Sequence, residues 1–321
     1  REDVRRDLAK LAGADPDEIS INRNATEALD IIIYGIDLKK GDEVIVTNYD
    51  YPNMRHAWMQ REQREGIKLV WIDIPVGLDN EEAVVKLFTD AISTKTKVIH
   101  LTQVINWTGH ILPAKRICEE AKKKNILTVM DAAHSFAHYE MNLHDIGCDF
   151  AGTSLHKWLC APFGTGMLYV KKERIANLWP IMSSENPKSD DIRKFEALGT
   201  RSFPAEMGIG RAISFHESIG SKRKEERLRW LKNYWVNKVK QHPKIKFYSP
   251  LSDHASCAIA TVGIEGKKAT EIESYLFDKF SVHTVAIEWQ KVNGIRVTPH
   301  VYTSTSDLDK LVKGLLELAD R

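Results

Sequence analysis

Three groups of residues in this 321-residue chain have the types and spacing to do chemistry. Lys157, in "DFAGTSLHKWLCAPFGTGMLYV", has no Asp, Glu, Lys or Arg within seven residues on either side. Its neighbours Thr153, Ser154, His156, Trp158 and Gly164 suit a pocket better than a charged surface. Upstream, the apolar run "ILTVMDAA" carries Asp131, with His134 three residues on. Near the start, "NRNATEALD" lets Asn24 cap a helix whose third residue is Glu27, leaving the Ala25 and Thr26 amides for an anion. A capping start alone is commonplace; followed in order by a strand-ending carboxylate and a strand-ending amine it becomes informative.

Together these groups describe a pyridoxal phosphate site. A lysine forms a Schiff base with the aldehyde and later moves the substrate's α-proton. A carboxylate facing the pyridine nitrogen keeps it protonated, so that the ring can accept electrons. Lys157 and Asp131 are the candidates for these two tasks.

The elements that must position them alternate. Strand-like runs "DEVIVTN", "KLVWIDI", "KVIHLTQV", "ILTVMDAA" and "DFAGTS" are separated by amphipathic stretches such as "MRHAWMQREQREG", "EEAVVKLFTDAIS" and "AKRICEEAKKKN". This order predicts an α/β fold with a mostly parallel, buried sheet covered by helices. Ligands of such sheets bind beyond the carboxyl ends of the strands, where Asp50, Tyr51, Asn106, Asp131, His134 and the segment from Ser154 to Lys157 fall. From about Ala205 a long charged helix region leads into a smaller α+β pattern. The expected domains are therefore a large one over residues 1–205 and a long helix with a small domain over 206–321.

Composition bounds the rest. Apolar content of 43% and a net charge of +2 give no push toward nucleic acid or a membrane surface, and no run of about eighteen apolar residues exists. Lys122, Lys123 and Lys124 read as the solvated end of a helix. Cys118, Cys148, Cys160 and Cys257 form no C-x-x-C pair, so a reducing, cytoplasmic compartment is expected, with Cys160 a small pocket or core residue and the other three in the core. The chain opens on "REDVRRDLAKLAG" without an initiator Met, so an upstream segment, including any targeting signal, is expected to precede it.

The segments "NRNATEAL", "GDEVIVTNYDYPN", "VINWTGHILP", "VMDAAHS", "GTSLHKWLCAPFGTGMLYV" and "EALGTRSFPA", in this order over most of the chain, resemble the class V aminotransferase family of fold-type I pyridoxal phosphate enzymes. That group includes cysteine desulfurases and isopenicillin N epimerase. The resemblance implies a three-layer large domain and a homodimer. It also implies that Ala25 and Thr26 hold the phosphate with Ser154 and His156, that Tyr51 stacks on the ring, that Asn106 and His134 lie beside its phenolic oxygen, and that Asp131 pairs with its nitrogen. Lys157 would be the Schiff-base lysine. Gly199 and Thr200 would reach the phosphate of the neighbouring subunit, and Arg296, in "NGIRVTPH", would clamp a substrate carboxylate. Arg201 would serve either the interface or the substrate.

One departure bears on activity. Desulfurases carry a mobile cysteine shortly before that arginine, and "HTVAIEWQKVNGIR" has none. The expected function is action at the amino group or α-carbon of an amino-acid-like substrate, as in an aminotransferase or the isopenicillin N epimerase-like branch. The alternatives are a lyase or desulfurase-like enzyme and a non-catalytic cofactor-binding relative. His134 and His138 have a spacing that could bind zinc on a helix, but Asp131 closing a strand just before them and the lack of H-E-x-x-H speak against a metal. Trp58, Trp158 and Trp230 are taken as packing residues.

Overall fold

The structure, a computed structural model, describes residues 1–200 and 203–321. The chain forms two compact units: one of Arg1–Asp73, Glu82–Val104 and Pro113–Ser221, the other of Ile74–Glu81, Ile105–Leu112 and Lys222–Arg321.

Among the described residues the first unit holds β1 (Ile19–Asn22), β2 (Glu43–Thr47), β3 (Lys68–Ile72), β4 (Thr96–Thr102), β5 (Leu127–Asp131), β6 (Phe150–Ser154) and β7 (Gly166–Val170). They pair in the order β1-β7-β6-β5-β4-β2-β3, parallel except for β7, which runs antiparallel to both its neighbours. The helices are α1 (Glu2–Ala12), α2 (Ala25–Gly35), α3 (Pro52–Glu65), α4 (Glu81–Asp90), α5 (Ala114–Lys123), α6 (Leu143–Ile146) and α7 (Phe203–Ile219). Strands β4 to β7 are buried almost throughout, as expected when helices cover both faces of a parallel sheet.

Two glycines seat α2 against the sheet. A Cβ on Gly152 would come within 2.7 Å of the Leu29 side chain, and one on Gly166 within 2.6 Å of the Asn24 backbone. Without them α2 could not bring its first turn to the end of β6. Its apolar face, with Ala28, Leu29, Ile32 and Ile33, packs with Val129, Phe150 and Leu168 of the sheet in one core.

The edge strand β1 is tied down by charge. Arg5, buried on α1, donates to the Ile19 carbonyl at 2.5 Å and to Glu196 at 2.7 Å, while the same Glu196 oxygen accepts the Ile21 amide at 2.8 Å. The paired, hydrogen-bonded state is what makes a buried carboxylate tolerable there.

The second unit has β8 (Ile245–Phe247), β9 (Ala260–Ile264), β10 (Val285–Trp289) and β11 (Val292–Val297), with α8 (Ser221–Val239), α9 (Ala269–Phe280) and α10 (Thr305–Asp320). Its antiparallel sheet runs β10-β11-β9-β8 and buries Ala260, Val262 and Ile295 against Leu231, Trp235, Leu276, Leu311 and Leu315. No described helix is long and apolar enough to cross a membrane.

Gly166→Ala should force Asn24 and the start of α2 away from β7. We expect a loss of about 1–3 kcal/mol in stability, the usual cost of overpacking, read by urea unfolding. Pyridoxal phosphate binding should weaken as well, because the displaced turn carries the expected anion-binding amides.

Candidate functional site

Asp131 is the last residue of β5 and is only 4% exposed. One carboxylate oxygen accepts the Ala133 amide at 2.9 Å. Burial raises its pKa, and the nearby charge of Lys157 opposes that rise. His100, on β4 opposite Val129, is completely buried, and neither ring nitrogen has a hydrogen-bond partner among the described residues. Burial pushes its pKa down to about 4. Just beyond β2, Asp50 accepts the Thr47 amide at 2.6 Å and the Thr102 hydroxyl at 2.8 Å, and burial pushes its pKa up to about 6.

The turn between β6 and β7 carries the lysine. The Leu155 amide donates to Thr165, Ala161 to Leu155 and Cys160 to Lys157, so the turn is closed by its own backbone. The half-buried Lys157 places Nζ 3.1 Å from His134 Nε2. His134 Nδ1 in turn accepts the Trp158 indole N–H at 3.3 Å. The strand ends thus assemble Asp131, His134 and Lys157 in one place.

The α2 start differs in detail from the capping pattern. Asn24 Oδ1 accepts the Glu27 amide at 2.9 Å, as expected. The Ala25 amide is not left open, however: it donates to Ser154 Oγ at 2.8 Å. Thr26 stays in the first turn, where no intrahelical acceptor exists. His156 is two residues past Ser154, and its Nδ1 is buried without a partner among the described residues. Burial, then the Lys157 charge, lowers the His156 pKa. An amide, a hydroxyl and an imidazole nitrogen are suitable donors for a phosphate.

Tyr51, 42% exposed before α3, makes no hydrogen bond or ring contact with this group among the described residues. Asn106 and Arg296 belong to the second unit, where Arg296 Nη1 donates to the Asn106 carbonyl at 2.9 Å. Arg296 Nε and Asn106 Oδ1 are buried there without partners among the described residues. Gly199, with φ 70, and Thr200 are exposed. Arg201 lies outside the described residues. Cys118, Cys148 and Cys257 are buried as expected, but Cys160 is exposed, at the left-handed φ of 62 that its tight turn imposes.

Residues 1–311 match the family model described as Aminotransferase class-V. The chain belongs to that family. It is a fold-type I pyridoxal phosphate-dependent enzyme. Among curated relatives, the isopenicillin N epimerase of Amycolatopsis lactamdurans is 27% identical over 98% of this chain and 84% of its own length. A probable cysteine desulfurase of Synechocystis is 28% identical over 84% of this chain and 67% of its own length. The apo cysteine desulfurase of Thermococcus onnurineus superposes with a TM-score of 0.89 at 23% identity, over 99% of this chain and 83% of that one. The cystine C–S lyase C-DES does so at 0.87 and 19%, over 99% and 85%.

The class V cofactor suits the residues found. The buried Asp131 carboxylate accepts, among the described residues, a hydrogen bond only from a backbone amide, so a protonated ring nitrogen would supply a hydrogen-bonded cationic partner in addition to the nearby charge of Lys157. Sequence reading did not find His100 or the bonding role of Trp158. His100 sits mid-strand among apolar residues and offers no signal beyond its own presence. Trp158, directly beside the lysine, was readable only as packing.

A depressed histidine pKa contributes stability above the unfolded value of 6.5 that is lost as pH falls toward the folded value of about 4. His100→Phe should therefore flatten the fall in urea midpoint between those two pH values. An unchanged slope would show that His100 does not stay neutral in the fold.

Proposed function

We propose that this class V enzyme acts at the amino group or α-carbon of an amino-acid-like substrate, as an aminotransferase or an isopenicillin N epimerase-like enzyme. The observation that carries the reading is the Lys157 amine, 3.1 Å from His134 and within the field of buried Asp131. When bound, the cofactor supplies an electron sink for the α-carbon. Lys157 Nζ would hold the cofactor covalently and then carry the α-proton. Asp131 would hold a negative charge against the ring nitrogen, and His134 and Asn106 would meet the phenolic oxygen. Tyr51 would cover the ring face. Thr26, Ser154 and His156 would hold the phosphate, with the Ala25 amide oriented through Ser154. Gly199 and Thr200 of a second copy of the chain would complete the phosphate site in a homodimer. Arg296, whose pKa burial lowers and whose Nε has no partner, would take the substrate carboxylate.

A desulfurase-like or lyase reading is the second one, favoured by exposed Cys160 three residues past Lys157. Against it, the segment leading to Arg296 is a hairpin of β10 and β11 joined by Gln290 and Lys291 alone, with no cysteine. Sulfide release from cysteine by the parent protein, lost in Cys160→Ala, would favour this reading over the first.

Lys157→Ala should abolish the borohydride-trapped cofactor adduct, with mass spectrometry of the parent locating it at Lys157. Asp131→Asn should keep the fold yet lower α-proton exchange in deuterated water by several orders of magnitude. Exchange within about tenfold of the parent, near 1.4 kcal/mol in barrier, would mean that Asp131 does not serve the ring nitrogen.

A further inference from the structure

Beside the segment that follows β5, the first unit holds a cavity of about 810 Å³. Asp131, His134, Ser154, His156 and Lys157 are not among the residues that line it. One wall is made by residues between Ala137 and Ile146, but not by His138, whose ring stacks on that of Trp158 with centroids 3.8 Å apart. The C-terminal turns of α1 and α7 make the others. Gln103, which directly follows β4, lines the cavity too and is 5% exposed.

The Gln103 backbone amide donates to the Asp131 carbonyl at 3.0 Å, but Oε1 of its side chain is buried without a partner among the described residues. A primary amide both accepts and donates, and an interior one left unbonded costs the free energy of its lost hydration. Leucine or methionine would fill the same space without that cost. The amide is therefore a polar group still open to a partner. The backbone around the cavity adds acceptors. At the end of α1 the Gly13 amide bonds the carbonyls of Ala9 and Lys10, and among the described residues nothing donates to the carbonyl of Leu11, which lines the cavity. The last turn of α7 lies against it as well, so two helix ends with partial negative charge face the same space.

Side-chain charge points the same way. Glu140, Asp145 and Glu217 line the cavity against a single cation, Lys10. Lys10 lies 3.1 Å from Glu217, and Lys115 lies 2.7 Å from Asp145, but both pairs are exposed and screened by water. His216 lines the wall with its Nε2 2.9 Å from Ser221 Oγ. An anion would meet three carboxylates and two helix C-termini. The volume is far more than a bare metal ion fills and falls in the range of organic ligand sites. We propose that this cavity is a second ligand site that takes an aliphatic cation carrying several N–H donors, of the polyamine or alkylguanidine class. Gln103 Oε1 would accept one N–H in the interior, while the Leu11 carbonyl and the exposed Glu140 carboxylate would receive others.

The probe is diguanidinobutane, which has no primary amine and so cannot condense with the cofactor aldehyde. Titrated by calorimetry at low salt into the whole chain loaded with pyridoxal phosphate, it should saturate a single site. Bis(trimethylammonio)butane carries the same two charges and no N–H, and should bind about tenfold or more weakly. Gln103→Leu should weaken the guanidine probe by about tenfold or more, the usual loss when a hydrogen bond to a charged group is removed. Glu140→Lys alters an exposed side chain, so it keeps the test available if Gln103→Leu does not fold, and it should weaken both probes. No saturable heat at about 1 mM probe, equal binding of the two cations by the parent, or unchanged affinity in either folded variant would each overturn the proposal. A cofactor adduct mapped to a lysine other than Lys157 would remove the Schiff-base role and leave this result standing, because none of the groups invoked here belongs to that site.

Discussion

A carboxylate cut off from water at the end of β5 is the constraint around which the first unit is organised. Ionised Asp131 is costly to bury unless it is hydrogen-bonded and faced by positive charge. The Ala133 amide meets the first need, and Lys157 contributes to the second. Both depend on sheet order. Because β5 lies between β4 and β6 and runs parallel to each, their carboxyl ends open on one side, and the turn after β6 delivers Lys157 there. His100, neutral by its own burial, adds no competing charge beneath the carboxylate. Among the described residues the arrangement leaves Asp131 without a cation hydrogen-bonded to it, which is the requirement that a protonated pyridine nitrogen would meet.

The anion side follows from packing more than from charge. Gly152 and Gly166 let α2 lie so close to β6 and β7 that the Ala25 amide reaches Ser154 Oγ. The capping pattern in "NRNATEAL" was legible because a helix start is a local matter. The bond from Ala25 to Ser154 was not, since it joins residues 129 apart and depends on two glycines whose role is steric. In the same way the strands ending at Asp131 and Ser154 could be read from alternation and apolar runs. β1 could not: its four residues are all buried, and it is placed by Arg5 and Glu196 rather than by a pattern of its own.

The site shows a similar division. Lys157 stood out by the absence of charged neighbours, and Asp131 by its place after an apolar run. Trp158 and His138 were visible as residues but not as partners, because their contacts are made by turns that no periodicity describes. Cys160 read as a small pocket or core residue because no general base beyond His156 stands beside it in sequence, whereas it is exposed, in a turn at a left-handed φ of 62 that no periodicity describes. The pairing of Arg296 with the Asn106 carbonyl spans 190 residues and lay beyond any local reading.

What the shared fold leaves open is the outcome at the α-carbon, and the relatives illustrate why. An epimerase and a desulfurase match this chain at nearly the same identity, and the solved desulfurase and C–S lyase superpose on it almost as well as each other. A lysine, a buried carboxylate and an anion cradle are common requirements of any reaction that starts by labilising a bond to the α-carbon, so their presence cannot separate one outcome from another. Separation must come from groups that act after that step. A sulfur acceptor has to be a thiol able to reach the substrate, and three of the four cysteines are buried with pKa values raised by burial, in two of them to about 12. Only Cys160 is exposed, held in a short turn closed by backbone bonds rather than on a long segment. The β10–β11 hairpin has no cysteine, and only Gln290 and Lys291 lie between its strands. Proton transfer by Lys157, in the role proposed for it, would need no such reach, because its amine already lies beside His134 after the strand end. A sulfur transfer on this chain would therefore have to run through Cys160, the one exposed cysteine, and from the turn that holds it.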